Sequence, residues 1–267
     1  GPSLVLGSLV TEPGAVITGT GKGCGIETGP GYSYRTGISH GGYGWGGVTV
    51  PYGSVYEPET FGSGGSSDGY GSGGLGGGAM KIEVLSDFTH DGKIESNGTN
   101  GRWAGSGGSI WVSVGGVMSG SGVFEANGGN SANDLPAAGG GRIALYYGSN
   151  DGYPLQASNM HAYGGTNGWS NGAYGGPGTV YIEDRSIDDS GSGLLLLDNR
   201  GINAQYAGAV ASTYQFKQIK ATGYGHIEFM GNVSSLTITS GSGMSGDNTK
   251  PVIKVSGTLM YTGEGTL

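Results

Sequence analysis

Residues 105–128, GSGGSIWVSVGGVMSGSGVFEANG, contain the pattern from which the fold is predicted. A glycine cluster leads into a short β-branched and aromatic run, a second short run follows, and the segment ends in Asn127-Gly128. Alternation of apolar and polar residues with a period of two predicts strands that turn one face to a core. Asn-Gly supplies the positive φ angles that a tight corner needs. Because no stretch of twelve or more residues has helical periodicity, an all-β fold is expected.

The same pattern recurs along the chain. With Ile82, Ile110, Ile143 and Val180 taken as equivalent, the repeats are spaced by 28, 33 and 37 residues. One such repeat cannot bury its apolar face alone, whereas stacked repeats can. The pattern therefore predicts a right-handed parallel β-helix, or β-solenoid, with long Gly-rich loops. An antiparallel β-sandwich is the alternative, because the same turn residues also suit hairpins.

Composition divides the chain into two regions. Residues 1–75 are rich in glycine and tyrosine and are predicted to form an N-terminal cap or loop region, or a pack of polyglycine-II strands. Residues 76–267 are predicted to form β-solenoid coils, with Gly-rich repeats at 76–185 and regular coils at 190–267. Gly1-Pro2-Ser3 has the character of a cleaved tag, and the last five residues belong to a strand-like repeat. A fragment of a larger protein is therefore expected, with neighbouring modules of the same chain as partners.

Overall composition limits the classes of function. The chain has 63 glycines in 267 residues, and only 12% of its residues are charged, where about 25% is usual. A net charge of −8 argues against nucleic acid as a partner, since phosphates require a basic face. No apolar run approaches the roughly 18 residues of a membrane span, so no membrane insertion is expected. Cys24 is the single cysteine, which excludes an internal disulfide framework.

The runs at 105–112, 122–129 and 139–145 resemble the glycine-rich repeats of very large modular surface proteins, which are predicted parallel β-helices of the pectin-lyase-like or adhesin class. The resemblance extends over about residues 20–185. It implies an extracellular or cell-surface location and a structural or adhesive role, with a cell-surface or matrix protein or a glycan as partner. The motifs are specific for the type of repeat and not for a function. Sequons at Asn97 and Asn232 add weak support for secretion.

A catalytic role is an alternative to the structural role, because β-helix enzymes act on acidic polysaccharides. Asp188-Asp189 and Gly225-His226 are the fragments that approach the hydrolase pattern, but the Asn-x-Asp and Arg-x-Lys partners are missing. No catalytic residue is therefore predicted. A polysaccharide-active β-helix enzyme remains the third hypothesis.

The second hypothesis is a glycan-binding module that uses exposed aromatic rings. Tyrosine and tryptophan held in rigid loops stack on sugar rings and protein partners. The same rings could equally fill the space that glycine leaves in the core. The candidate ligand-binding residues are Tyr43, Trp45, Trp103, Trp169 and Tyr174.

No cofactor is predicted except, as one possibility, calcium. Oxygen ligands bind this cation, and Asp87 and Asp91 lie within a short polar run that also holds His90. Asp134 and Asp151 are further candidate ligands in the connecting loops. No regular calcium-loop motif is present, and a polar turn between strands explains the same residues equally well.

Overall fold

A computed structural model describes residues 1–168, 172–186, 193–211, 213–233, 235–238 and 252–257. Within these ranges the regular structure consists of β-strands, and no helix there is long and apolar enough to cross a membrane. The strands are β1 (Ser3–Leu6), β2 (Leu9–Thr11), β3 (Val16–Thr18), β4 (Ala79–Val84), β5 (Phe88–His90), β6 (Lys93–Glu95), β7 (Ser109–Gly120), β8 (Val123–Glu125), β9 (Arg142–Asp151), β10 (Met160–His161), β11 (Thr179–Asp184), β12 (Gly193–Asp198), β13 (Ala207–Val210), β14 (Thr213–Thr222), β15 (Ile227–Val233), β16 (Ser235–Ile238) and β17 (Ile253–Gly257).

The strands form three sheets. Sheet A has ten strands, with the order β1-β4-β7-β9-β11-β12-β14-β16 and with β2 and β5 beside that path. Sheet B has the order β10-β8-β6-β3, and sheet C has the order β13-β15-β17. Among the described strand pairs, β11 with β12 is antiparallel and the others are parallel. The all-β prediction is therefore confirmed, and parallel pairing does not support the antiparallel sandwich.

The first stack of strands encloses an apolar core between sheets A and B. One column of side chains runs from Ile82 through Val112 and Leu145 to Ile182, each in register with the next. A second column on sheet B joins Ile17, Ile94, Phe124 and Met160 in the same way. Ile94 and Phe124 are fully buried. Each such side chain stabilises the fold by about 1.5–3 kcal/mol through removal from water.

The predicted register is wrong by two residues at the first repeat. Ile110 pairs with Met80, not with Ile82, so the spacings of the stack are 30, 33 and 37 residues. A shift of two keeps every side chain on the same face, which is why alternation alone did not detect the error. The last glycine of each cluster is the better marker. The carbonyls of Gly78 and Gly108 each accept the N–H that begins the next strand.

A second stack begins where the chain reverses direction between β11 and β12. Leu194 and Leu196 face the first core, whereas Leu195 and Leu197 face a second core on the other side of sheet A. Sheet C closes this second core, which includes Phe229. The two stacks thus share sheet A and bury opposite faces of it.

Glycine segments pack beside the first stack, backbone against backbone. Successive amides of one segment donate in three directions: Gly139 to Ile38, Gly140 to Gly176, and Gly141 to Ala126. A helix with three residues per turn and no internal hydrogen bonds directs its donors in this way. An added Cβ at Gly140 would lie 2.1 Å from the Ala162 carbonyl oxygen, so no side chain fits. We call these packed segments the glycine bundle.

The glycine bundle crosses the domain boundary predicted at residue 75. It joins parts of residues 20–78 to the segments at 97–108, 127–141, 163–168 and 172–178. Strands β1 to β3 lie before residue 20 and pair in parallel with β4 to β6 of the first stack. The N-terminal region thus contributes both strands of the first stack and segments of the glycine bundle.

Candidate functional site

The predicted aromatic residues lie in different environments. Trp45 is 40% exposed, but Trp103 is only 4% exposed, between the guanidinium groups of Arg35 and Arg102. Trp103 therefore does not present its ring to solvent, as a stacking platform must. Tyr43 is half-buried, and its hydroxyl donates to Glu228 Oε2 at 3.1 Å.

The two remaining predicted binding residues are Tyr174 and Trp169. Tyr174 is half-buried beside the glycine bundle. Trp169 lies outside the described residues, as do the two carboxylates of Asp188-Asp189. Trp45 and Tyr174 lie on neighbouring segments, because the Trp45 N–H donates to the Ala137 carbonyl and the Ala137 N–H donates to the Ala173 carbonyl.

The predicted calcium ligands that lie on the first stack bind backbone amides. Asp87 Oδ1 accepts the Val117 N–H at 2.8 Å, and Asp91 Oδ1 accepts the Ser121 N–H at 2.9 Å. Asp134 and Asp151 are exposed and lie elsewhere. In the described ranges, no three His, Cys, Asp or Glu side chains are grouped to hold a metal ion. Each of these two carboxylates connects neighbouring levels of the first stack, because its backbone partner lies 30 residues further along the chain.

Ladders of asparagine side chains also connect neighbouring levels of the first stack through backbone N–H groups. The sequence analysis did not predict these ladders. Asn97 Oδ1 accepts the Asn127 N–H at 2.7 Å, and Asn127 Oδ1 accepts the Tyr163 N–H at 2.8 Å. A second ladder has the same arrangement: Asn100 Oδ1 accepts the Asn130 N–H, and Asn130 Oδ1 accepts the Thr166 N–H. The exact recurrence of Asn after 30 residues in the sequence is the signal that could have revealed it. The side-chain amide of Asn97, in the first sequon, also donates to Glu125 Oε2 at 3.3 Å.

A tyrosine-lined groove on the second stack is a candidate binding surface. Its volume is about 580 Å³, and its lining comprises residues 50–56 together with Val210, Ala211 and Tyr214. Val50 and Val210 are more than half exposed. No lining residue is charged. The groove therefore offers an apolar, uncharged surface. Sequence reasoning placed its tyrosines only in a general N-terminal cluster, because residues 210–214 approach them solely through the fold.

Tyr56 is held rigidly at this groove. Its hydroxyl accepts the Gln215 N–H at 3.0 Å and donates to the Gln215 carbonyl at 3.2 Å. Its ring packs edge-on against Tyr181 with centroids 4.8 Å apart. Burial raises the pKa of the Tyr56 hydroxyl to about 12, so it remains a neutral donor. A ring fixed in this way loses little conformational entropy on binding a ligand.

A buried cation lies behind the groove. Arg142 is fully buried, and its guanidinium donates to the Tyr52 carbonyl (2.8 Å), Thr179 Oγ1 (3.0 Å) and the Gly208 carbonyl (2.7 Å). Burial lowers the pKa of Arg142 to about 10, which leaves it charged at neutral pH. The side chain thereby fixes the residue 52 loop onto strands β11 and β13.

Two histidines are buried as neutral rings. His40 Nδ1 lies 2.6 Å from the Gly107 carbonyl and Nε2 lies 2.8 Å from Thr60 Oγ1. Burial, and then the nearby Arg142 charge, lowers the pKa of His40 to about 3. His90 lies in the first core with Nδ1 2.6 Å from Thr11 Oγ1. Burial lowers the pKa of His90 to about 4.

The outer face of sheet B has a column of charged residues. Lys93 Nζ lies 3.6 Å from Glu95 and 3.5 Å from Glu125, and His161 Nδ1 lies 3.6 Å from Glu125 Oε1. The His161 hydrogen bond, with those of Asn97 and the Lys93 charge, lowers the pKa of Glu125 to about 2. These charged side chains pair with one another on neighbouring strands of sheet B. The column is therefore a cross-strand ladder of ion pairs.

The chain matches no protein-family model, no curated protein and no solved structure.

Proposed function

We propose that this chain is a structural module of a large secreted or cell-surface protein, with stiffness as its contribution. The observation that carries the proposal is the glycine bundle, whose segments donate hydrogen bonds to three different neighbours and approach too closely for any side chain. Such packing has no soft side-chain layer between the segments. Together with the two strand stacks it favours a rigid body over a catalytic or regulatory one.

For the finer architecture, we propose that each stack is a coil of a right-handed parallel β-solenoid. Successive parallel strands in sheet A, such as β4 and β7, are joined through strands of the same coil that lie in sheet B. Connections between parallel strands of one sheet are right-handed in about 98% of proteins. The constant in-register columns of Ile82 and Ile94 support the same interpretation.

The extracellular location, the non-catalytic role, and partnership with neighbouring modules and with a cell-surface or matrix protein are part of this proposal. The resemblance of the repeats to those of surface proteins supports them. The functions of Asp87 and Asp91 as cross-coil acceptors favour a module that needs no calcium for its fold.

Mechanical unfolding tests the proposed stiffness. The full chain is held by handles at its two ends and extended in optical tweezers, and cooperative steps at forces well above those of an unstructured chain are expected. Gly140→Ala should lower the unfolding force, because its Cβ would meet the Ala162 carbonyl oxygen at 2.1 Å. Gly69→Ala is the matched control, since nothing lies within 4 Å of its Cβ. Smooth extension at low force, in the unaltered chain, would refute a stiff module.

A second candidate function, glycan binding, is favoured by the tyrosine-lined groove. Rigid Tyr56 and the uncharged lining suit the apolar face of a sugar ring. A carbohydrate array should then show signals that Tyr56→Ala removes and that Tyr70→Ala retains. Tyr70 is the control because it is 88% exposed and lies outside the groove. Equal signals for both variants would reject the groove, and loss with Trp45→Ala alone would assign binding to Trp45 instead.

A further inference from the structure

Among the described strands, β1, β2 and β3 each pair on one side only, with β4, β5 and β6 in turn. Together they form the first coil and leave its other edge open. The carbonyls of Pro2 and Leu6 accept the N–H groups of Lys81 and Leu85 in β4 and just beyond it. In a parallel ladder alternate residues bond to one neighbour, so Ser3 and Val5 direct their backbone groups away from β4.

Strands β2 and β3 continue this edge. Leu9 donates to Asp87 and Thr11 accepts from Asp91, so Val10, between them, faces the free side. On β3 the Lys93 N–H donates to Ala15, which leaves Val16 on the free side by the same alternation. The edge therefore offers backbone donors and acceptors on both walls of the first stack.

The three short edge strands have neither charge nor proline to prevent pairing. Strands β1, β2 and β3 contain no charged residue and no proline, whereas natural edges are protected by Lys, Pro or bulges. Leu4, Val5, Val10 and Val16 are 45–61% exposed. Such an edge would promote aggregation unless another chain segment covers it.

The interior of the stack is open at the same end. A cavity of about 390 Å³ is lined by apolar groups that include Leu4, Ile17, Met80, Ile82 and Phe61. Ile17 and Ile82 belong to the columns that fill the interior of every later coil. The open end thus has the same donors, acceptors and apolar columns as the upper face of each buried coil.

We propose that this end is a docking surface for one further coil of three short parallel strands, supplied by a neighbouring β-solenoid module. The inference rests on the proposed solenoid architecture and adds the partner. The continuity of the surface with the coil-to-coil interfaces identifies the occupant. The arriving coil carries an apolar residue above Leu4 and another above Ile17, in register with the columns below.

A graft tests this docking. Residues 79–108, which form one coil and its connection, are duplicated ahead of Ser3 in the full chain. The graft should raise the melting temperature and reduce the fluorescence of a dye that binds exposed apolar surface. A control graft with Ile82→Ser and Ile94→Ser in the duplicated copy alone should do neither, because its interior residues no longer fill the cavity.

Edge pairing is checked with Val5→Pro, which removes a free-edge N–H and leaves the bonds of β1 to β4 in place. The graft should raise the melting temperature less in this background. The proposal is overturned if the graft does not raise the melting temperature, or if the control graft raises it equally. It is also overturned if the graft raises the melting temperature as much in the Val5→Pro chain as in the unaltered chain. A dimer of the unaltered chain that Val5→Pro dissociates would assign the edge to a second copy and also overturn it. The pulling experiment uses the unaltered chain, so the two proposals fail separately.

Discussion

Acidification should destabilise this protein chiefly through His40 and His90, the two fully buried histidines among the described residues. His40 and His90 have pKa values lowered to about 3 and about 4 in the folded state, chiefly by burial, against 6.5 in an unfolded chain. Below pH 6.5 the unfolded chain therefore binds more protons than the folded one. Stability is fully present above pH 6.5 and is lost as the pH falls towards the folded pKa values.

The magnitude follows from the width of that window. At pH 4.5 each histidine is two units below its unfolded pKa and is still neutral in the folded protein. With 1.36 kcal/mol per unit, each lowers the free energy of unfolding by roughly 2–3 kcal/mol, or about 5 kcal/mol together. That loss is comparable to the whole stability of a marginal domain. Glu125 adds little at this pH, because its stabilising effect is lost only below its ordinary value of 4.5.

Urea unfolding at pH 7.5 and pH 4.5, followed by tryptophan fluorescence, measures the difference. The unaltered chain should lose about 5 kcal/mol, and His40→Gln or His90→Gln should each reduce the loss by about half. The double variant should lose far less stability than the unaltered chain, with a remainder from His226, whose pKa burial also lowers. It should be less stable at pH 7.5, because hydrogen bonds to Thr60 and Thr11 are weakened. Equal urea midpoints at the two pH values in the unaltered chain, or full pH dependence in the double variant, would refute the reasoning.

Three other perturbations have defined outcomes. Gly107→Ala places a Cβ 2.2 Å from the Ala126 carbonyl oxygen and should cost about 2–4 kcal/mol by chemical denaturation, whereas Gly69→Ala should cost less than about 1 kcal/mol. In Arg142→Lys the compact ammonium group cannot reach all three acceptors that the guanidinium bonds. The substitution should therefore lower the free energy of unfolding by about 2–4 kcal/mol, and an unchanged urea midpoint would contradict this. Chelation should leave the melting temperature unchanged, because the Asp91 carboxylate binds amide and hydroxyl groups of Ser121, and a fall that calcium restores would disprove it.

The strands could be predicted from the sequence because alternation and glycine clusters act locally. The runs around Ile110 and Ile143 follow glycine steps, and both lie in strands. The register could not be obtained from alternation, since Ile82 and Met80 are on the same face. The glycine positions contained that information, because Gly78 and Gly108 have to meet the backbone of the next coil.

The candidate binding surface was harder to predict than the fold. Trp103 and Trp45 have similar glycine-rich surroundings in the sequence, yet one is buried and the other exposed. Two arginines lie over the Trp103 ring: Arg102, its neighbour in the sequence, and Arg35, which is 68 residues away. The tyrosine-lined groove likewise joins residues near 52 and near 212 only after folding. Contacts of this kind leave no local pattern.

The excursion between β3 and β4 sets the first coil apart from the others during assembly. Leu4 pairs with Ile82 across 78 residues, whereas Ile82 pairs with Val112 across 30. Closing the longer loop costs about 0.9 kcal/mol more chain entropy, and β1 gains only one neighbouring strand in return. The N-terminal coil is therefore the last part of the stack to be secured when the chain folds and the first to detach when it opens.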